Sequence, residues 1–523
     1  MECSCVRHTD LPGASRLFLD FLYHPDRLHS YYPNLPSDPE AYARSAKIDF
    51  PPERRAALIE ALRPANAGNP SLDQLAKPGT VAVVTGQQVG LFSGPAYTIY
   101  KAMTAVKLAR DLTARGIPAV PVFWLATEDH DFAEVNHCWV FNPAHEPIKL
   151  EMAASAAGQP VGEVQLSTPP IDDLRKCLGE FPFGAEVVSL VKECYAPGAS
   201  MGQAFGALLG RLLDRFGLLQ LDPMSPAVRE LAAPAIRSAL EAAPELSAAV
   251  MDRNRQLTAA GYHAQVHVED GTSFVFLLED GRRITLRRQG REYTAAGRRF
   301  TTEELTGRAV SLSPNALLRP VVQDSILPTI AYVGGPAELA YLAQSEVIYR
   351  KVLGRMPVPL NRAGFTLLDQ RSRKLMDRYK LSLSDFFQGE QALREKLSLA
   401  LIPPELASTM EGTKTEAIAA LDRLNQGLET FDANLARLTR KSRRKIEYQL
   451  SKIEKKTARE ILARESNASA HASYLYGLIY PHRHLQERLY SILPFLARHG
   501  FELIDTIYEG VHLECPDHQL LVI

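Results

Sequence analysis

The chain has 523 residues, of which 46% are hydrophobic and 23% are charged. These fractions are those of ordinary globular proteins and exclude a disordered or fibrous chain. The length favours two or three packed units over a single core. The formal net charge of −1 excludes a whole-protein field that would attract nucleic acid or anionic lipid, and we therefore expect neither as a partner.

The cysteines and the N-terminal segment indicate the compartment. Six cysteines are scattered along the chain, without the spacing of a disulfide framework. Cys3 and Cys5 lie in an N-terminal tail, which we expect to fray. The first residues do not resemble a signal peptide, and no stretch approaches the roughly 18 apolar residues of a membrane helix. We expect a soluble, cytoplasmic protein with no membrane partner.

The first clear unit is a strand, a glycine-rich loop, a helix and a second strand. Residues 80–84 form a short apolar run, typical of a strand buried on both faces of a parallel sheet. Pro95 suits the first turn of a helix, and apolar residues then recur at helical spacing from Ile99 to Leu112. Residues 119–125 predict the second strand. The unit is typical of α/β proteins.

The same pattern recurs further along the chain. Residues 218–221 predict a short strand followed by a helix, and residues 329–333 predict a strand that ends at a glycine pair. A helix over 337–353 and a returning strand over 357–360 follow. Together these elements predict a Rossmann-like, doubly wound α/β core formed by residues 1–262 and 301–368.

A small antiparallel β insertion is predicted between the two parts of the core, over residues 263–300. Three β-rich segments, 263–268, 273–278 and 283–288, alternate there with turn dipeptides. The dipeptides are Asp270-Gly271, Asp280-Gly281 and Gln289-Gly290. Such pairs favour tight hairpins.

The last third of the chain predicts a C-terminal α-helical coiled-coil domain over residues 369–470. Apolar residues step by three and four from Leu421 to Leu438 and resume at Ile446, which predicts one long helix over about 415–464. Its expected partner is a helix beginning near Asp369. A basic run over 437–445 has no interleaved aromatic residues, which favours a solvated coiled-coil face, or contact with an acidic ligand or subunit, over nucleic-acid binding. Residues 471–523 should pack back on the core.

Three segments carry candidate functional residues, and each follows a predicted strand. In the first, glycines could admit an anion at a helix N-terminus, although a tight glycine connection is the alternative. Its candidates are Gly86, Gln87, Gln88, Gly90, Gly94, Tyr97 and Lys101. The adjacent amide side chains of Gln87 and Gln88 are poorly suited to packing in an apolar core, which favours a role in binding a ligand. Lys101 lies one helical turn after Tyr97 and could meet a phosphate.

The second segment is acidic and contains two histidines. Its candidates are Glu128, Asp129, His130, Asp131, Asn136 and His137. These residues could supply a general base, a partner for a cation or a metal shell, and capping carboxylates are the alternative. The HExxH pattern is absent, so we assign no metal site.

The third segment repeats the glycine-loop pattern at a helix start, and a glycine turn with ordinary caps is the alternative. Its candidates are Arg319, Gln323, Asp324, Tyr332, Gly334, Gly335 and Glu338. Ligands bind beyond the carboxyl ends of the strands in open α/β sheets. We therefore expect all three segments to meet in a single crevice.

Long stretches of the chain resemble the cysteine-adding enzymes, or cysteine ligases, of bacillithiol biosynthesis. The stretches are VVTGQQVGLFSGPAYTIYKAMTAVKLA, VPVFWLATEDHDFAEVNH and RPVVQDSILPTIAYVGGPAELAYLAQ. They occur in the family's order, and the coiled coil and the PHRHLQER segment match in place, so the resemblance covers essentially the whole chain. Thr127 and Arg483 depart from the family pattern, since a glycine is usual at both positions.

The resemblance implies a Rossmann core, a coiled-coil domain, a homodimer and the last step of the pathway, which joins cysteine to glucosaminyl-malate. It implies that the three segments line the active crevice. His130 or Asp131 would take the proton of the amine, and Glu128 or Asp129 would orient it or hold the cysteine ammonium. Whether ATP activates the carboxyl and whether a metal assists stay open.

Two other functions remain as alternatives. The fold that the resemblance implies is similar to that of adenylate-forming nucleotidyl transferases, but their HxGH and KMSKS signatures are absent from this sequence. A nucleotidyl transferase-like enzyme acting on another small molecule is therefore one alternative. A non-catalytic coiled-coil assembly protein is the other.

Overall fold

The computed structural model describes residues 3–153, 158–464 and 466–523. Its centre is a sheet of five parallel strands, in the spatial order Val358–Asn361, Thr329–Gly334, Val81–Gln88, Ala119–Ala126 and Leu219–Leu221. Numbered along the chain, this order is 5-4-1-2-3, which is that of a Rossmann sheet. The predicted doubly wound core is confirmed. From Val81–Gln88 the chain first adds strands on one side of the sheet and then, beginning with Thr329–Gly334, on the other side. The topological switch point lies between these two strands.

The central strands are apolar on both faces because helices cover both sides of the sheet. Trp124 and Phe123, which are neighbours in sequence, enter two different hydrophobic clusters, as the alternation of a strand requires. The α-helices that precede the last strand of this sheet are the following: Arg16–Tyr23, Ala41–Ser45, Pro52–Leu62, Pro70–Ala76, Tyr97–Ala114, Phe132–Val135, Ile171–Leu178, Gly184–Cys194, Met201–Leu213, Pro226–Glu241, Ala243–Ala259, Thr302–Gly307, Arg319–Ile326 and Pro336–Val352.

The antiparallel insertion is larger than the sequence predicts. Its strands are Thr272–Glu279, Arg282–Gln289, Glu292–Ala295, Arg298–Thr301 and Leu312–Pro314. The prediction of a strand over 263–268 is wrong. The backbone N–H and C=O of Val266 there bond to the side chain of Gln344, at 2.9 and 2.8 Å, instead of to a neighbouring strand. The Asp280-Gly281 turn is present, with both residues at positive φ.

The prediction of one long helix over 415–464 is also wrong. The chain forms an antiparallel helical hairpin, Pro404–Glu429 and Ala433–Arg464, that reverses at Phe431. Asp432 fixes the reversal, because its side chain accepts a hydrogen bond from the Asn434 N–H at 2.6 Å. In the described residues the second helix packs mainly against the first and against the helix Glu390–Ala400. The expected partner near Asp369, which is the helix Gln370–Arg378, is not one of these neighbours. The other helices of this part are Glu390–Ala400 and Ser466–Ile479.

The two ends of the chain share a three-stranded sheet. Strand Cys3–Val6 pairs antiparallel with His518–Val522, which pairs parallel with Phe365–Leu368. The expectation that the N-terminal tail frays is therefore wrong, because residues 3–6 are hydrogen-bonded along one edge to His518–Val522. The last segment also contains helices Gln486–Leu489, Leu493–His499 and Leu503–Gly510.

A two-stranded hairpin, His137–Phe141 and Pro147–Glu151, follows the acidic segment. Arg483, where the family pattern has a glycine, adopts a φ of 63°, a conformation that favours glycine. Across the described ranges, no helix combines the length and the apolar character needed to cross a membrane.

Candidate active site at the switch point

A cavity of about 710 Å³ opens at the carboxyl ends of the central strands, beside the switch point. This is where open α/β sheets bind ligands, and the volume is typical of a small-molecule site. All three predicted segments contribute to it. The predicted residues that line it are Gly86, Gln87, Gln88, Tyr97, Lys101, Glu128, Asp129, His130, Arg319, Tyr332, Gly335 and Glu338.

The floor of the cavity is built around Lys101, whose side chain is only 3% exposed. Its ammonium donates to the carbonyl oxygen of Gly86 at 2.8 Å and to Oε1 of Gln87 at 3.0 Å, and it forms an ion pair with Glu338. These three partners use all three ammonium protons. Lys101 therefore joins the first and third segments. The prediction that it meets a phosphate has no support in this geometry.

Gly86 is needed for a reason different from the predicted one. It lies inside the strand Val81–Gln88, and a Cβ atom at this position would stand 2.8 Å from the carbonyl oxygen of Trp124 on the neighbouring strand. Close strand packing thus requires the glycine. Because residues 85–88 continue the strand, Gln87 and Gln88 are placed rigidly at the rim of the cavity and not on a loop.

One wall of the cavity is acidic. Nε2 of Gln88 donates to Asp129 at 2.6 Å and to Glu134 at 2.7 Å, which holds the two carboxylates beside each other. Burial raises the pKa of Asp129, but hydrogen bonds from Gln88 and the charge of Arg283 outweigh burial, and the pKa lies below its usual value. Asp129 is therefore a stable anion that can bind an ammonium group.

Glu128 differs from Asp129 because it is buried, with 7% of its surface exposed. Burial raises its pKa, and the Ser313 hydroxyl and nearby guanidinium groups offset only part of that rise. Its Oε2 atom is buried and, among the described residues, has no hydrogen-bond partner. A carboxylate with a raised pKa and a vacant oxygen is suited to accept a proton.

His130 is held by Arg283, a residue of the insertion. Nη1 of Arg283 lies 3.2 Å from Nδ1 of His130 and 3.5 Å from Asp129, while its other nitrogens bond to Ser313 and to the carbonyl of Pro314 at 3.0 and 2.8 Å. The guanidinium also lies over the ring of Phe276, at 4.0 Å. The insertion thus closes the acidic wall and fixes the imidazole.

The opposite wall is basic. Arg319 donates to Tyr341 at 2.8 Å, to Tyr332 at 3.2 Å and to Gln323 at 3.0 Å, all neutral oxygens. Tyr332 in turn donates to Glu338 at 2.6 Å. In the described parts of the chain no carboxylate lies within 4.0 Å of Arg319, so its charge is available to an anionic ligand.

Two arginines that the sequence reasoning missed complete this wall. Arg362 follows the strand Val358–Asn361 and binds Glu487 through two hydrogen bonds of 2.6 and 2.8 Å, with both side chains buried. Arg488, next to Glu487, is exposed and lies 5.8 Å from the ring of Tyr97. The C-terminal segment thus reaches the cavity. The PHRHLQER match, which ends with Glu487 and Arg488, was the signal that could have found Arg488.

Eight predicted residues do not line the cavity, and the structure gives each another environment. The eight are Gly90, Gly94, Asp131, Asn136, His137, Gln323, Asp324 and Gly334. Asp131 is exposed at the start of a short helix. Asn136 is buried and bonds to the carbonyl of Met152 at 3.1 Å, and His137 begins the next strand.

Three other residues of these eight, Gln323, Asp324 and Gly334, lie outside the cavity and form hydrogen bonds within its surrounding structure. Asp324 is buried, which raises its pKa, and it accepts hydrogen bonds from Tyr349 and Gln323. Gln323 also accepts the bond from Arg319 described above. The carbonyl of Gly334 accepts the N–H of Arg362 at 2.9 Å.

Neither glycine loop is an open cradle for an anion, contrary to the prediction. The N–H of Gly335 donates to Glu338 at 2.8 Å, so the protein's own carboxylate caps that helix. At the other helix start, the N–H of Ala96 bonds to the carbonyl of Tyr490 at 2.7 Å, and Ser491 contacts Ser93. The glycines at 90 and 94 instead let the loop close on itself, because a Cβ atom at Gly90 would stand 3.0 Å from the Cα atom of Gly94.

The fold and the cavity together define an α/β enzyme-like protein with a charged small-molecule site at the Rossmann switch point. Residues 1–363 match the family domain "Bacillithiol biosynthesis BshC, N-terminal Rossmann-like domain", and residues 365–523 match its "C-terminal coiled-coil domain". The chain belongs to this bacillithiol biosynthesis family, BshC. The resemblance noted from the sequence is confirmed.

Full-length relatives support the assignment. A protein of Solibacter usitatus named "Putative cysteine ligase BshC" is 59% identical over 100% of both chains. Proteins of the same name from Koribacter versatilis and Symbiobacterium thermophilum are 36% and 32% identical, over 99% and 88% of each chain.

Proposed function

We propose that this chain is the carbon–nitrogen ligase that joins the carboxyl of cysteine to the amine of glucosaminyl-malate, the last step of bacillithiol biosynthesis. The observation that carries the proposal is the separation of charge in a single cavity. Carboxylates follow the strand Ala119–Ala126 on one side, and arginines surround the strands Thr329–Gly334 and Val358–Asn361 on the other. The acceptor has the same polarity, with an amine at one end and two carboxylates at the other.

The acidic wall would receive the two amino groups. Asp129 and Glu134, held by Gln88, form an anionic pair suited to an ammonium group, such as that of cysteine. Glu128, with its raised pKa and vacant oxygen, would accept the proton that the acceptor amine loses as it attacks the cysteine carbonyl. His130 would orient the reactants through Nε2, because Arg283 occupies Nδ1.

The basic wall would receive the malyl carboxylates. Arg319 and Arg488 carry charges that no described carboxylate neutralises within ion-pair distance, whereas Lys101 and Arg362 are paired with Glu338 and Glu487. A guanidinium binds a carboxylate through two parallel hydrogen bonds, which fixes its orientation as well as its position. Such binding would set the distance between the acceptor amine and Glu128.

Amide formation from a free carboxylate requires activation, and we propose ATP as the co-substrate that supplies it. Attack by the amine would form the C–N bond and break the bond between the carbonyl carbon and the phosphate oxygen. The cavity volume of about 710 Å³ leaves room for more than one small ligand. The phosphates would share the unpaired cations of the basic wall.

The direct test is product formation by the full-length chain. We expect bacillithiol, detected by mass spectrometry after thiol labelling, only when cysteine, glucosaminyl-malate and ATP are all present. Release of AMP or ADP would identify the activated species. A Glu186→Gln variant changes an exposed residue that does not line the cavity, and its rate of product formation should equal that of the wild type. Failure to form the thiol under these conditions would overturn the proposal.

We also propose that the helical hairpin makes the protein a homodimer. Large apolar residues of the hairpin remain exposed: Phe431 at the turn is 82% accessible, and Leu438, Ile453 and Leu424 on the helices are 60%, 57% and 54% accessible. A row of apolar side chains at helical spacing is the composition of a coiled-coil seam. A second copy of the hairpin would bury this row.

A further inference from the structure

The N-terminal strand and the loop before the C-terminal strand bring two cysteines together. Cys5 lies in the edge strand Cys3–Val6, opposite Gln519. Cys515 lies in the loop that connects the helix Leu503–Gly510 to the strand His518–Val522, immediately before Pro516. The two residues are separated by 510 positions in the chain, yet their sulfur atoms are 3.5 Å apart.

These thiols differ from the other described cysteines in accessibility. Cys5 is exposed and Cys515 is half-buried. Cys138, Cys177 and Cys194 are buried, and burial raises the pKa of each thiol, that of Cys138 to about 12. Since the thiolate is the reactive form, the buried cysteines are protected and the accessible pair is open to reaction.

Cys515 also faces space for a small reagent. It lines a cavity of about 360 Å³ together with polar residues such as Tyr42, Asp111 and Arg115. A compound with the size of an amino acid fits this volume. The same cavity reaches Asn361 and Ala363, the two neighbours of Arg362, so it lies directly behind the basic wall of the active site.

We propose that Cys5 and Cys515 form a reversible redox site that reacts with low-molecular-weight disulfides. One protein thiolate attacks the small disulfide, which forms a mixed disulfide and releases one small thiol. The second protein thiolate then attacks the protein sulfur of that mixed disulfide, which closes the Cys5–Cys515 bond and releases the second small thiol. The protein loses two hydrogens and the small disulfide gains them. A disulfide bond is ~2.05 Å long, so closure needs only a small side-chain movement from the observed separation.

The test uses the full-length protein with cystine as the oxidant and excess cysteine as the reductant. After rapid alkylation of free thiols and digestion with trypsin, the expected product is a cross-link between residues 1–7 and 499–523. Fragmentation assigns the bond to Cys5 and Cys515. It should form with cystine and disappear with cysteine.

Three variants complete the design. Cys5→Ser and Cys515→Ser should lose the cross-link completely, and Cys177→Ser should retain it. No cross-link, a bond to another cysteine, or a stable mixed disulfide on Cys515 of the wild type would overturn the proposal. The oxidised wild type should also melt at a higher temperature than the reduced form, because the bond ties together the ends of the unfolded chain. A lower melting temperature would show that the bond does not fit the native fold, and would equally overturn the proposal.

Discussion

Arg283 donates a hydrogen bond to Nδ1 of His130 over 3.2 Å. A guanidinium group has no lone pair, so Nδ1 must be the acceptor and the proton of the neutral ring must lie on Nε2. The lone pair that a general base needs is therefore occupied. Glu128, whose Oε2 lacks a partner among the described residues, is better suited to that role. The sequence alone did not distinguish His130 from Asp131 as the general base, because it could not show that Arg283 contacts His130.

The first prediction separates these two roles. Glu128→Gln keeps the size of the side chain and removes the proton acceptor, so kcat should fall by roughly a hundred- to ten-thousand-fold. His130→Asn keeps a hydrogen-bonding side chain and should lower kcat much less. Single-turnover rates of bacillithiol formation measure both effects. A larger loss in His130→Asn than in Glu128→Gln would return the base role to the histidine.

The second prediction concerns pH. Burial raises the pKa of Glu128. The acidic limb of the plot of kcat/KM against pH should therefore lie at a pH above about 4.3, the ordinary pKa of a glutamate side chain. The Ser313 hydroxyl lowers that pKa, and Ser313→Ala should therefore move the limb to higher pH. A profile that does not respond to Ser313→Ala would argue against Glu128 as the titrating base.

The same shift has a consequence for stability. The pKa of Glu128 is higher in the folded protein than in the unfolded chain. The folded protein is therefore most stable below the pKa of the unfolded chain, and it loses stability as the pH rises from that value through the pKa of the folded protein. Glu128→Gln should therefore unfold at a higher temperature than the wild type at neutral pH, and this gain should vanish below about pH 4, where the carboxyl is protonated in both states. Thermal unfolding at several pH values measures the difference. An equal gain at every pH would exclude ionisation as its cause.

The third prediction tests the basic wall. Arg488→Gln and Arg319→Lys each remove a guanidinium fork, and the loss of one charge-assisted interaction should raise the KM for the acceptor about ten- to a hundredfold. The KM for cysteine should change little, because its ammonium is expected at the acidic wall. Arg175→Gln, on an exposed helix, is the matched control. A rise in the cysteine KM instead would reverse our assignment of the two walls.

The local pattern of the chain was sufficient to predict most of the core. The positions of the strands Val81–Gln88 and Thr329–Gly334 followed from apolar runs, because a strand covered on both faces has few polar positions to obscure it. The first strand continues to Gln88, and its predicted end at residue 84 is too early because its last residues are polar. The helical hairpin was missed for a physical reason. Spacings of three and four look the same whether a helix continues or reverses, and only the contact between the two halves reveals the turn.

The site shows the same limit. The sequence predicted that three segments meet, since the ends of neighbouring parallel strands share one edge. It could not predict Arg283, which comes from an insertion and reaches the cavity through tertiary packing. Arg488 ends the PHRHLQER segment, but the segment alone does not show that it reaches the cavity. It also interpreted both glycine loops as anion sites, because a sequence does not show that Glu338 and Tyr490 already occupy those helix ends.

The fourth prediction concerns assembly. Phe431→Asp and Leu438→Asp place a charge in the exposed apolar row of the hairpin, which a coiled-coil interface does not tolerate. We expect the wild type to sediment as a dimer and both variants as monomers. Lys441→Asp, at an exposed position of the same helix, serves as the control and should remain dimeric. A monomeric wild type would exclude the hairpin as a stable dimer interface.

The fifth prediction concerns the buried pair that attaches the C-terminal segment to the core. Arg362 and Glu487 are 5% and 4% exposed and share two hydrogen bonds, and Glu487 also accepts the N–H of Phe365 at 3.0 Å. Glu487→Gln would leave the guanidinium buried without its counter-charge, which should lower the free energy of unfolding by about 3–5 kcal/mol. Glu502→Gln, at an exposed position, is the control.

The pH dependence of this effect identifies its origin. Burial raises the pKa of Glu487, but the charge of Arg362 and its hydrogen bonds outweigh burial and hold the pKa below its usual value. A depressed folded pKa contributes stability that is fully present above the unfolded pKa of about 4.3 and is lost as pH falls through the folded value. The difference between wild type and Glu487→Gln in urea unfolding should therefore be constant from pH 6 to 8 and shrink below about pH 4. A difference that persists unchanged in acid would mean that lost packing, and not lost charge, destabilises the variant.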